Sequence, residues 1–362
     1  MSETIENSDD GVITMPDVNQ AAPGVEWVRV PLDRDVLKEL NTRSDFMGFL
    51  QTFGHLGLLC LTATGVIYGF EHKIWWLLGV CLFLHGTMFH FVLNGFHELC
   101  HNTVFKSRFL NEFFLRVFSV IGQHNHVWFR TSHKEHHQHT MYPPRDLENI
   151  QPIKYRRKDF FKSAFINPLG LYPFFKARIR RACGYLDDEW TQYIFKDSEE
   201  KQKQLKNVER FHFFVHAIII AVSIYMQWWM VPVLTTFAPF YLSWLLFLCN
   251  NTQHVGLHDN VPDFRLNSRT IYLNPFFQFI YWHMNYHVEH HMYAGVPCYK
   301  LGKLHRLIKD QMPPTPNGLL PAWREIAEIL KKQEADPDFQ YAPPIPGLEK
   351  EQSSEEAVAE TA

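Results

Sequence analysis

The chain of 362 residues is long enough for one large domain or two small ones. A formal charge of −3 leaves no basic surplus for nucleic acid. Six cysteines (Cys60, Cys81, Cys100, Cys183, Cys249, Cys298), scattered without a CxxC pair, make no disulfide framework.

Mean hydropathy is slightly negative, but this average mixes polar tails and a basic middle with long apolar runs. Residues 1 to about 25 are acidic and polar, as disordered segments are. No basic-then-apolar leader opens the chain, which puts its start on the cytoplasmic side. A charged stretch from Glu26 to Ser44 completes a polar N-terminal segment, residues 1–44. The apolar run from Met47 to Phe70 is long enough to cross a bilayer. After the polar break Glu71-His72-Lys73, a second run from Ile74 to about Phe96 leads directly into His97-Glu98-Leu99-Cys100-His101. Two helices of a soluble core are the alternative; length and aromatic richness favour spans.

From about His97 to Arg210 the composition turns basic (Arg108, Arg116, Arg130, Lys134, Arg145, Arg156, Arg157, Lys158). Within it, Phe109 to Ile121 is apolar at most positions, either an interfacial helix or a buried roof over a site. Lys176 to Arg181 sets a basic face beside Phe174 and Phe175, suited to anionic headgroups or to water. A third and a fourth span are expected at Phe211 to about Val231 and at Val233 to about Cys249, parted by Pro232. An aromatic approach (Tyr272, Phe276, Phe277, Phe279, Tyr281, Trp282) then leads to a last His cluster. Residues 311–333 contain a short amphipathic helix, Pro321 to Lys332, with Trp323, Ile326, Ile329 and Leu330 on its apolar side. Residues 334–362 read as a Pro- and Glu-rich disordered tail.

Lys and Arg concentrate in the loops that carry the histidines, which places those loops in the cytoplasm, while Trp75-Trp76 and Trp228-Trp229 mark the opposite interface. The expected fold is an all-α integral membrane protein. Four transmembrane helices in two hairpins would carry a cytoplasmic helical cap, the membrane domain covering residues 45–310 and both termini lying in the cytoplasm.

The histidines are the chemical signal. His287, His290 and His291 (HVEHH) stand at i, i+3 and i+4, and His133, His136 and His137 (HKEHH) repeat that spacing; His97 and His101 (HELCH) add an i, i+4 pair. On a helix each set shares a face. Neutral imidazoles aimed at one point suit iron, zinc or copper. Eight of them exceed the four ligands of one tetrahedral ion, so two metals are the natural count. A centre rich in imidazole and poor in carboxylate suits a redox metal that uses dioxygen, and spans that run into the clusters suit an apolar substrate. The chain has no flavin or dinucleotide fingerprint and no thiolate set, so electrons must arrive from outside.

HELCH, HKEHH and HVEHH, in this order and between paired spans, resemble the three histidine boxes of the membrane fatty acid desaturase and hydroxylase superfamily, over roughly Asp45 to His305. TQHVGL followed by HMNYHVEHH resembles a mostly bacterial branch that includes enzymes of small-molecule metabolism. The resemblance implies a non-haem di-iron enzyme using O2, with lipid or acyl substrate, in the bacterial inner membrane or the endoplasmic reticulum. It implies electrons from ferredoxin or cytochrome b5 with its reductase, in trans because no HPGG haem motif is present. The implied ligands are the eight box histidines. The superfamily also carries an extra His after the fourth span and an upstream Asn that holds a metal-bound water. Here these are His254 and Asn250, four apart, on one face if the helix runs on to about Val255 before Gly256. His258, past Gly256, is expected to leave that face.

HELCH is also H-E-x-x-H, the zinc protease signature with Glu98 as base. An intramembrane zinc metalloprotease is therefore the alternative, although it leaves two boxes unexplained and no expected span carries an acidic third ligand. A metal carrier is a third option. His85 and His90 line a tunnel or pack within the second span. His124, His126, His139 and His283 flank the boxes. Asp146 and Glu148 either orient ligating imidazoles or cap a loop.

Overall fold

In the computed structural model, residues 24–148, 160–161 and 164–346 are described. Residues 1–23, Arg156, Arg157, Lys158 and the tail from 347 lie outside them. Among the described residues the fold is all-α, with isolated bridges in place of strands.

Helix α1 (Arg34–Leu40) leads to α2 (Asp45–Glu71), whose N-cap Ser44 accepts from the Met47 N–H at 3.3 Å. The buried side of α2 carries Gly48, Thr52, His55, Leu59, Thr62, Val66 and Gly69, three or four residues apart, while Phe46, Phe53, Leu61 and Tyr68 point outward. Large apolar groups outside and small or polar ones inside is the pattern of a helix surrounded by lipid. The small residues let α3 (Trp75–Phe89) approach closely: a Cβ on Gly69 would lie 2.8 Å from the Leu78 nitrogen.

After a break at His90-Phe91, α4 (Val92–Cys100) continues the same line and carries HELCH. Gly95 admits the fully buried Trp282, whose ring a Cβ would meet at 2.6 Å. Helices α5 (Arg108–Gly122) and α6 (His126–His139) follow, α6 bearing HKEHH. Then come α7 (Pro168–Cys183), α8 (Glu189–Phe195) and α9 (Glu199–Met226). Three stretches, Asp45–Glu71, Trp75–Cys100 and Glu199–Met226, are long and apolar enough to cross a membrane. The first two match the expected runs. The third starts well before Phe211, on the charged turns opened by its Ser198 cap.

The stretch expected as a fourth continuous span is instead broken into α10 (Met230–Leu234), a 3-10 turn (Ala238–Phe240) and α11 (Trp244–Asn250). Pro232 and Pro239 cannot donate to a helical ladder, and Leu242 adopts a left-handed φ of 62°. Backbone carbonyls freed by the break are taken up by side chains. His85 Nε2 lies 3.0 Å from Leu234 O, His90 Nε2 2.9 Å from Tyr241 O, and Tyr241 Oη donates to Val233 O at 3.0 Å. Most of residues 230–250 are buried or half-buried, so the freed groups find partners within the protein. His85 and His90 thus take the packing alternative.

Short elements α12 (Phe264–Asn267), α13 (Pro275–Ile280), α14 (His287–Met292), α15 (Cys298–Ile308) and α16 (Leu319–Ala335) complete the cap. In α16, Ala322, Ile326, Ile329 and Gln333 are buried, while Trp323 and Leu330 are only half-buried. The start of the expected disordered tail packs against the body: Ile345 is buried and the Tyr341 N–H donates to Gly256 O at 2.8 Å.

Candidate metal centre

Three helices and one loop bring nine histidines together beneath the spans. His97 and His101 share a face of α4, one turn apart. Helix α6 starts at Asn125, whose side chain accepts from the Val127 and Trp128 N–H groups at 3.1 and 3.2 Å, and presents His133, His136 and His137. Helix α14 has only six residues, all buried, and no side-chain cap; enclosure and the Thr270 hydroxyl on Glu289 hold it in place.

Five histidines, His97, His101, His133, His137 and His290, offer nitrogens that all lie within 4.8 Å of one another. His136, His254 and His291 form a second such set. His287 joins it, with Nε2 2.8 Å from His254 Nε2 and 3.0 Å from His291 Nε2. The sets adjoin, His137 and His291 having ring centroids 4.6 Å apart. His124, His126, His139, His258 and His283 fall in neither set.

Hydrogen bonds behind the rings fix which nitrogen faces inward. His254 Nδ1 lies 2.7 Å from Asn267 O, which can only accept, so Nδ1 carries the proton and Nε2 is bare. Thr140 Oγ1 donates to His136 O at 2.6 Å and therefore accepts from His291 Nδ1 at 3.2 Å. His136 Nδ1 stands 2.8 Å from Asp146 Oδ2, and His133 Nδ1 3.0 Å from Glu148 Oε1. Asp146, fully buried, also accepts from the Met141 and Glu148 N–H groups at 2.8 and 2.9 Å. Asp146 and Glu148 thus orient rings, and Asp146 caps the loop as well. Because Glu148 approaches His133 at Nδ1, behind the ring, the grouping of His133, His136 and Glu148 describes support rather than a third ion site.

The inward nitrogens crowd together: His97 Nε2 and His133 Nε2 are 2.6 Å apart, His133 Nε2 and His101 Nε2 3.1 Å, His290 Nε2 and His137 Nε2 3.1 Å. So close a set of imidazole nitrogens fits transition metals with nitrogen ligands. Burial, reinforced by the neighbouring imidazoles, holds His133, His137, His287, His290 and His291 well below the usual range, and His101 at about 3. These rings are neutral, the form a metal requires. His136 differs. Burial lowers it, but Asp146 and Glu148 outweigh burial and raise it to about 9. Burial raises Glu148 to about 7.

Asn250 and His254 both line a cavity of about 180 Å³ that touches both sets, walled also by Leu93, Phe129 and Met284. Helix α11 ends at Asn250, however, and turns carry the chain to His254, so helical stacking is not what pairs them. Asn94 Nδ2 donates to Asn250 Oδ1 at 3.4 Å. Three supports escaped the sequence reading: the Asn267 carbonyl, Thr140 and the Thr270–Glu289–His305 chain. A carbonyl carries no sequence signal. Thr140 stands one helical turn past His136, and His305 is a lone histidine.

The family model described as fatty acid desaturase matches residues 74–320. The chain belongs to that family. The match contains every box, His254 and Asn250, but starts later than the resemblance drawn from Asp45; it leaves out α2 and nearly all of α16. No curated protein matches the chain. Membership makes this a membrane oxidoreductase of the desaturase and hydroxylase superfamily, and its histidine clusters are compatible with a metal site.

Proposed function

We propose that the chain is a di-iron, O2-dependent oxidase of unactivated C–H bonds in an acyl chain or related apolar substrate, foremost a fatty acid or lipid desaturase, with hydroxylation as its sister outcome. The observation that carries this reading is the convergence of nine imidazoles into a five and a four. The ligands are His97, His101, His133, His137 and His290 for one iron and His136, His254, His287 and His291 for the other. Bound there, a pair of irons supplies the redox capacity to remove hydrogen from carbon with dioxygen, which no acid or base side chain can do.

The protein's own part is orientation and enclosure. Asp146, Glu148, Asn267 and Thr140 keep protons on the outer ring nitrogens, so donor atoms are preset. Leu93, Phe129 and Met284 give the adjoining cavity apolar walls for a hydrocarbon, and Asn250 offers the polar group that holds a water beside the ions. Electrons come from ferredoxin or cytochrome b5 in trans. The centre and both termini face the cytoplasm, and residues 230–250 make the fourth crossing as a broken helix. A reporter at the C-terminus then reads cytoplasmic and one between Glu71 and Lys73 reads the opposite side.

The protease alternative is disfavoured by Glu98. Its Oε1 lies 3.2 Å from His97 Nδ1 and 3.4 Å from His290 Nδ1, behind the ligands rather than on the metal side where a water-activating base must stand.

Lipids and small metabolites of cells expressing the chain, with a reductase system, should gain an unsaturated or hydroxylated product under air and not under nitrogen. Protein loaded with ferrous iron under nitrogen should hold it in pairs. Product formed anaerobically, or a single ion per chain after such loading, overturns the proposal.

A further inference from the structure

His254 is the one proposed ligand outside a helix and outside the boxes, and its loop is held from two directions. From one side, residues 267–269 run alongside it. Asn267 O accepts from its ring, the Arg269 N–H donates to Gln253 O at 2.7 Å, and Arg269 Nη1 donates to Thr252 O at 2.8 Å and Val255 O at 3.2 Å. One residue thus gathers the carbonyls on either side of His254, groups left over where α11 ends.

From the other side comes the C-terminal helix. Glu325 on α16 accepts from Arg269 Nε at 3.0 Å; the Arg269 side chain is 5 % exposed and that of Glu325 34 %. Trp323 Nε1 donates to Leu248 O at 2.9 Å. Ile329 lies where a Cβ on Gly256 would be, at 2.5 Å, and Gly256 has a φ of +78° that side chains rarely adopt. Tyr341 closes the loop from beyond the helix through Gly256 O.

Resting on the di-iron reading, we propose that α16 and the residues after it form a clamp that sets the four-histidine half, with Arg269 and Glu325 as its positioning residues. Most of α16 lies beyond the residues that the family model matches. Among the described residues the hydrogen bonds of α16 reach the His254 loop and the end of α11, not α4 or α6, and this gives the proposal an asymmetric readout. A buried guanidinium is suited to the task because its fork can hold several acceptors in fixed geometry while one carboxylate balances its charge.

The test uses the full-length protein in detergent, loaded with ferrous iron under nitrogen, freed of excess metal and challenged with a chelator. Iron retained per chain and the Mössbauer spectrum are read. Loss of a partner behind a ligand lowers metal affinity roughly 10- to 100-fold, so Arg269→Gln should keep about one iron where wild type keeps about two. The remaining iron's spectrum should match one of the two wild-type components. Glu325→Ala removes the outer member from a helix surface, where folding is least at risk, and should also release one iron. Both irons retained with unchanged spectra in the two variants overturns the clamp, as does loss of both irons together from Glu325→Ala. Wild-type protein that binds no metal overturns the reading of the site beneath it, so the two failures are distinguishable.

Discussion

In the five-histidine set every donor comes from a box and stands on a helix or its cap; α4 and its C-cap His101 give two, α6 two and α14 one. In the four-histidine set α6 and α14 supply three, and the fourth, His254, stands in a loop whose course depends on partners far along the chain. Helix periodicity secures the first set locally, because residues three and four apart must share a face. The second set needs tertiary contacts to be complete. On the proposed reading, two ion sites that differ little in chemistry therefore differ in what can disturb them.

The largest effects should come from the donors themselves and should ignore this distinction. His290→Ala in one half and His254→Ala in the other should each lower turnover on the order of 10³-fold, about 4 kcal/mol of barrier at 1.36 kcal/mol per tenfold. Each should also lose one iron. Product assays and iron analysis on membranes containing normal amounts of protein check this; full turnover by either variant removes that residue from the ligand set.

Next come the groups behind the rings. Asp146→Asn loosens His136 and two backbone N–H contacts at once, so it should weaken metal binding roughly 10- to 100-fold, chiefly in the four-histidine half. Glu148→Gln supports His133 and should act on the five-histidine half instead. Chelator titrations that find the same half affected in both would break the division. Asn250→Ala should keep its iron and lose about tenfold in rate, what one hydrogen bond of about 1.4 kcal/mol contributes; iron loss in this variant would make Asn250 a direct ligand.

Acidity tests the halves together in metal-free protein. Unfolded histidines take up protons near pH 6.5, whereas burial holds folded His101 and His254 at about 3. Protons thus favour the unfolded chain, and stability falls as pH drops from about 6.5. His136 has the opposite sign: raised to about 9, its pairing with Asp146 stabilises fully below about 6.5 and fades as pH rises toward 9. The thermal midpoint in detergent should therefore peak near neutrality, and a midpoint that rises steadily on acidification contradicts the assignment. The smallest effect belongs to His258, which stands beyond Gly256 and outside both sets. His258→Ala should leave iron and turnover unchanged in the same assays.

The parts of the molecule that could be read from the sequence are those governed by local period. The first two apolar runs, the placement of α5 and α16, and the shared faces of HELCH and HKEHH all follow from spacing. The Val233 to Cys249 stretch misled because its composition is that of a span, while Pro232, Pro239 and the left-handed Leu242 interrupt the ladder. The partnership of Asn250 and His254 was anticipated for a reason the structure replaces, a shared cavity rather than a continuing helix. Asn267 and Arg269 were invisible, since Asn267 acts through its carbonyl and the Arg269 guanidinium holds the carbonyls of Thr252 and Val255, groups that have no residue identity. So was the partial order of the expected tail, which depends on the shape of the loop it covers.

Asp146, the Asn267 carbonyl and Thr140 orient their imidazoles through bonds made wholly within the protein. On the proposed di-iron reading those bonds preset three of the donors without choosing the ion, and selection among ions falls to intrinsic affinity and supply. Nitrogen donors of this kind favour divalent copper over ferrous iron, with zinc also binding well. A set of imidazoles alone has little means of refusing them. Mismetallation is the consequence of the di-iron reading: the metal found in purified protein will report the growth medium and the order of exposure as much as the site's own requirement, and iron must be supplied early and in excess to test that reading.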